Sequence, residues 1–156
     1  MGAICRQLPK VVLTLWVGGL WAMGLLIAPA LFRILPDRAL AGAVAGRLFT
    51  VVAATGLACG IFLCASALVR FGRSSLRSPR YLVILAMIAL TAVGEFGLQP
   101  ILAGLKHQAA PLDVMQSALR GQFTAWHGVA SGLYLVNCAL GWVAVVLPDG
   151  VGRTIP

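Results

Sequence analysis

YLVILAMIALTAVGEFGL, from Tyr81 to Leu98, is hydrocarbon apart from one acid, Glu95. A run of this length with so little charge reads as a transmembrane helix, and an ionisable group inside it marks a functional position with a partner to be found. Working outward, apolar runs recur at Val11 to Phe32, Leu48 to Val69, Tyr81 to Leu105 and Phe123 to Leu147. Each is long enough to cross about 30 Å of hydrocarbon at about 1.5 Å per residue. A lone chain without repeated alternating segments cannot close a barrel, so the spans must be helices. The expectation is an all-α integral membrane four-helix bundle, one domain covering residues 1–156.

Composition agrees. The chain is 60% hydrophobic and 10% charged, with a mean hydropathy of +0.96, whereas soluble domains carry about 25% charged residues. Its net charge of +8 would suggest nucleic acid in a soluble protein. Here the arginines stand at the ends of apolar runs and act as anchors, so no nucleic-acid partner is expected and the bilayer is the principal one. Cys5, Cys59, Cys64 and Cys138 form no metal-type pair and read as small packing residues. Arg6 and Lys10 ahead of an apolar run imitate a secretory signal, but the run is too long and Pro29 suits cleavage poorly, so it is read as an uncleaved first span.

Lys and Arg outside the spans set the orientation. Arg6, Lys10, Arg70, Arg73, Arg77, Arg80 and Arg153 fall on one side, and Arg33, Arg38, Arg47, Lys106 and Arg120 on the other. The four arginines between Arg70 and Arg80 weigh most, because short loops dominate the positive-inside rule. Both termini are therefore expected in the cytoplasm of a multi-pass cell inner-membrane protein. Between the first spans, Pro36-Asp37 ends one helix and offers Asp37 as N-cap of the next, which should begin near Arg38. Gly42/Gly46, Gly56/Gly60 and Gly128/Gly132 have small-xxx-small spacing, read as packing within the bundle and as weak support for a homo-oligomer.

Counted from Arg80, Glu95 lies in the outer third of the bilayer, and His127, seven residues past Arg120, falls at a similar depth. Thr91, Glu95 and Gln99 form one polar stripe. Arg120, Thr124, His127, Ser131, Tyr134 and Cys138 form another. Polar stripes turn inward in lipid, and Arg33 and Arg47 are the countercharges available to Glu95. The expected outer-side binding pocket is thus Arg33, Arg47, Glu95, Gln99, His127 and Ser131. Glu95 reads equally well as a structural ion-pair partner, and His127 as an interhelical hydrogen-bonding residue. Pro100 should kink the third helix.

No HExxH, GxSxG, P-loop or CxxC is present, and only one of the two histidines lies in a span. No catalytic residue, metal site or cofactor is assigned. A haem could take only His127 as a protein ligand.

Three stretches resemble one family. LWVGGLWAMGLLIAPALFRILPDRALAGAVAGRLF (Leu15 to Phe49), FGLQPILAGLK (Phe96 to Lys106) and FTAWHGVASGLYLVN (Phe123 to Asn137) are similar in order and spacing to the transmembrane-protein-205-like family, a membrane domain of unknown function. The resemblance implies four membrane helices. It carries over Pro29, Phe32, Pro36 and Pro100 as structural motif positions, along with Arg33, Leu35, Gly46, Phe49, His127 and Ser131. Where Glu95 stands, the family pattern more often has a neutral residue.

The function expected is non-enzymatic: a membrane module that binds a small ligand, lipid or ion, or that assembles with a membrane-protein partner. The alternatives from other classes are a haem- or copper-handling redox protein and an oligomeric transporter subunit.

Overall fold

A computed structural model describes residues 2–110 and 113–148, with side chains from Gln7 onward. The chain is an up-and-down bundle of four long helices. Helix α1 runs Gly2–Ala22, widens into a π-helical turn at Met23–Ile27 and continues as Ala28–Ile34. Helix α2 is Arg38–Phe71. Helix α3 runs Pro79–Ala92, has a π turn at Val93–Leu98, and continues as Gln99–Ala109. Helix α4 is Arg120–Val146. Short 3-10 turns, Arg73–Arg77 and Val114–Gln116, lie between α2 and α3 and ahead of α4. Around the bundle α1 packs on α2 and α4, and α3 packs on the same two.

Among the described residues, four segments are long and apolar enough to cross a membrane: Gln7–Ile34, Arg38–Phe71, Pro79–Ala109 and Arg120–Val146. Nearly all extend beyond the apolar runs, because local capping and not hydropathy decides where a helix stops. Asp37 shows this directly. Its Oδ1 accepts from the Ala39 and Leu40 amides at 2.8 and 3.3 Å, so α2 begins at Arg38, as the sequence indicates. At 34 residues, α2 is about 51 Å long. Fitting that into about 30 Å of hydrocarbon would take a lean of more than about 50°, beyond the roughly 0–40° seen in membranes, so its ends must emerge from the hydrocarbon.

The tightest core lies in the half nearest the Arg70–Arg80 loop. Leu13, Trp16, Val17 and Leu20 of α1, Leu63 and Ala67 of α2, Tyr81, Ile84 and Met87 of α3, and Cys138 and Ala144 of α4 are all buried there. Without a hydrophobic drive between helices in lipid, close approach depends on small residues. The Trp16 indole lies directly on Gly56, where a Cβ would collide with Nε1. A Cβ on Gly60 would stand 2.5 Å from Ile88 Cγ1 and 3.2 Å from Trp16 Cη2, and one on Gly141 would stand 3.0 Å from Val17 Cγ2. The Gly56/Gly60 pair is therefore an internal packing surface. Gly46, Gly128 and Gly132 meet nothing within 4 Å, and Gly42 only the Phe32 ring at 3.9 Å. Cys59 and Cys64 are half-buried free thiols and Cys138 is buried, in keeping with the packing role expected of them. Cys5, Arg6 and Arg153 fall outside the described side chains.

Candidate functional site: an outer cleft between two helix pairs

Two prolines shape the end opposite the arginine-rich loop, called outer here after the charge pattern. A proline inside a helix lacks its N–H and pushes against the carbonyl four residues back. Each π turn ends just before such a residue. Ala28 N–H donates to the Met23 carbonyl ahead of Pro29, and Gln99 N–H donates to the Gly94 carbonyl ahead of Pro100. The widened turn absorbs the proline and rotates everything beyond it by about 100°, the angle of one inserted residue. At Pro100, where a kink is expected, the helix has this π turn, and α1 has another ahead of Pro29.

Beyond the π turns the bundle divides into pairs. Ala28–Ile34 packs on the start of α2, where Ala41 and Ala45 are buried, and Gln99–Ala109 packs on the start of α4 through buried Leu98, Leu102 and Leu105. On α4, residues 124–129 are exposed on every side, including the stripe that points inward lower down at Tyr134 and Cys138. The outer half is an open cleft.

The floor of the cleft is polar and joined across helices. Tyr134 hydroxyl donates to the Leu20 carbonyl at 2.5 Å, its ring covers Gly24, and Phe49 of α2 meets it edge-on at 5.1 Å. Asn137 Nδ2 donates to Thr91 Oγ1 at 3.0 Å, and that hydroxyl donates to the Met87 carbonyl at 2.8 Å. The Asn137 Oδ1 is buried with no hydrogen-bond partner among the described residues.

The six pocket residues do not gather at one point. His127 is exposed two turns outward of Tyr134 on the same stripe, so it faces the cleft. Its ring stacks on Phe123 at 5.7 Å, and Lys106 Nζ lies 5.6 Å from the Phe123 ring centre. Ser131 is exposed nearby, its hydroxyl donating to the His127 carbonyl at 2.8 Å. Glu95 and Gln99 are half-buried, in and just after the α3 π turn. Arg33 is exposed in the last turn of α1. Arg47 is exposed on the back of α2, roughly opposite the side carrying Phe49, Gly56 and Gly60. Among the described residues no hydrogen bond or ion pair joins Glu95 to Arg33 or Arg47.

The depth match between Glu95 and His127 is corrected. Thr91 meets Asn137, and Met87 approaches Gly141, a register that sets Leu133 opposite Glu95. His127 then stands six residues, about 9 Å, farther out. Equal depth follows from counting inward from Arg80 and Arg120 across about 30 Å, whereas the Pro79–Ala109 segment is 31 residues, about 46 Å of helix. Tyr134, Asn137 and Phe49 are contributors that site reasoning from sequence passed over. Tyr134 was signalled by its place in the α4 polar stripe, and Asn137 by being an amide inside a span. Nothing in the sequence pairs Phe49 with Tyr134. Among the described residues no three His, Cys, Asp or Glu cluster as a metal site would require.

Comparison with curated proteins and with solved structures finds no match. A family model described as a domain of unknown function, DUF4149, matches residues 11–111, which takes in α1 to α3 and stops short of the helix carrying His127. The chain belongs to this DUF4149 family of domains of unknown function.

Proposed function

We propose that the protein is a non-enzymatic membrane assembly module whose outer cleft receives a transmembrane helix, from a second copy or from a partner membrane protein. The observation that carries this reading is the outer part of α4, where residues 124–129 are exposed on all sides beyond the core that closes the other half of the bundle. The hydroxyls of Thr124 and Ser131 are satisfied within their own helix at 2.8 Å. His127 and the indole N–H of exposed Trp126 remain able to bond outward. An interhelical hydrogen bond in a membrane adds about 0.6 kcal/mol and at most roughly 2. Gly128 and Gly132, with nothing within 4 Å, would let another backbone approach.

The finer placement is part of the same proposal. The protein resembles the transmembrane-protein-205-like family, sits in the cell inner membrane, and keeps both termini in the cytoplasm. This orientation is supported by the exposed Arg70, Arg73 and Arg77 and the positive-inside rule.

Self-association is tested by mixing donor- and acceptor-labelled copies in liposomes and diluting with lipid. Energy transfer should persist on dilution and fall sharply for Gly132→Leu. Transfer that vanishes in proportion to dilution would remove the second copy as occupant.

A further inference from the structure

The opposite end of the bundle presents cations with no acid of the described residues to meet them. Arg70 stands in the last turn of α2, and Arg73 and Arg77 sit on the 3-10 turn that leads to α3. All three are exposed, and among the described residues none is paired with an acid. The acids among those residues, Asp37, Glu95 and Asp113, all lie in the outer half. The loop is bonded so as to hold this display. Gly72, at φ +74°, donates its N–H to the Leu68 carbonyl at 2.9 Å and stops α2 in a conformation that glycine adopts without strain. Its carbonyl accepts from the Ser75 amide at 3.2 Å and the Ser75 hydroxyl at 2.7 Å, and the Ser75 carbonyl accepts from the Ser78 amide at 3.1 Å. Ser75 is buried and Leu76 packs against the core, so Arg73, Ser74 and Arg77 face out. Arg80, buried at the start of α3, takes no part.

We propose that Arg73 and Arg77, with Arg70 beside them, form a surface that gathers anionic phospholipid headgroups. Depth selects a lipid over a soluble acidic partner. The five residues of the turn rise only about 10 Å as a 3-10 helix, so the guanidiniums stay within about a Debye length of the helix ends, where the potential of an anionic leaflet acts. At the same place Phe71 is 41% exposed, and the Arg70 guanidinium lies 5.4 Å from its ring centre. An exposed apolar ring beside the charges suits the edge of the hydrocarbon and not open water. Each guanidinium also offers a planar fork of donors that matches phosphate oxygens. Holding the arginines on a bonded turn spares the ordering entropy that a free basic tail would lose on binding.

The test places a photoreactive amino acid at Ser74 of the full chain, in vesicles of equal phosphatidylglycerol and phosphatidylcholine, and reads the lipid class of the adducts by mass spectrometry. Phosphatidylglycerol adducts should exceed phosphatidylcholine adducts about fivefold or more, the factor that one arginine near an anionic surface contributes. Arg73→Gln combined with Arg77→Gln should remove most of that excess, and raising the salt should lower it. Arg38→Gln combined with Arg120→Gln takes the same charge from exposed positions at the other end and should leave the excess unchanged. All four side chains are exposed, so the variants keep the fold. Equal adducts of the two lipids with all arginines in place, or an excess unchanged by Arg73→Gln with Arg77→Gln, would overturn the proposal. A discrete protein or nucleic-acid adduct in place of lipid at the same position in intact cells would overturn it too, by making the anion a macromolecule.

Discussion

Gly56→Ala tests the packing of the bundle with one methyl group. The added Cβ would collide with Trp16 Nε1 and lie 3.1 and 3.2 Å from Cε2 and Cδ1. These are atoms of a rigid ring that is 4% exposed and enclosed by the core, so the indole cannot swing aside alone. Either α1 lifts from α2 or Trp16 leaves its rotamer, and overpacking of this kind costs about 1–3 kcal/mol. Replacing a helical glycine by alanine also gains up to about 1 kcal/mol of helix propensity. The clean readout is therefore the difference from Gly46→Ala, in the same helix with nothing within 4 Å. Equilibrium unfolding in mixed detergent micelles should place Gly56→Ala about 1–3 kcal/mol below Gly46→Ala. In a Trp16→Phe background the gap should narrow, since the colliding nitrogen and outer ring are gone. A gap under about 0.5 kcal/mol, within ordinary additivity error, would refute the Trp16–glycine contact as the device that seats α1 on α2.

Further outcomes follow from single contacts. Asp37→Ala removes the acceptor for two amides and should lower stability by about 1 kcal/mol, while Asp37→Asn should retain most of it. Tyr134→Phe loses the bond to the Leu20 carbonyl and should cost about 0.6–2 kcal/mol in the same unfolding assay. Gly24→Ala, whose Cβ would stand 2.8 Å from the Tyr134 ring, should be worse than Tyr134→Phe. Purified in mild detergent, the protein should show no stoichiometric Soret band or metal by absorbance and elemental analysis. A band abolished by His127→Ala would replace the assembly reading with a cofactor one.

The parts of the structure legible in sequence are those set by short-range chemistry. Apolar length gives four spans, and Pro36-Asp37 gives the start of α2. The π turns at Met23–Ile27 and Val93–Leu98 were half visible. Pro29 and Pro100 announce a disturbance, but whether a helix answers a proline by bending or by widening a turn depends on its neighbours. The polar cluster was the least legible. Ranking Glu95 and His127 by counting inward from Arg80 and Arg120 assumes about 30 Å between the boundaries, whereas Pro79–Ala109 is 31 residues, about 46 Å of helix, and it says nothing of azimuth. Arg47 is two residues from Phe49, so when Phe49 turns in toward Tyr134 the arginine must turn out. That direction is fixed by the Trp16–Gly56 contact, a tertiary fact that spacing within α2 does not contain.

The central claim is that the exposed outer part of α4 is a docking face for a helix. A photoreactive amino acid placed at Gly128, in the intact cell membrane, tests it directly, with the same residue at Val69, which is 86% exposed on α2, as the lipid-facing control. The account predicts a discrete protein adduct at position 128, either a second copy or one partner peptide identified by mass spectrometry, and lipid adducts alone at position 69. Lipid adducts alone at both positions would contradict it.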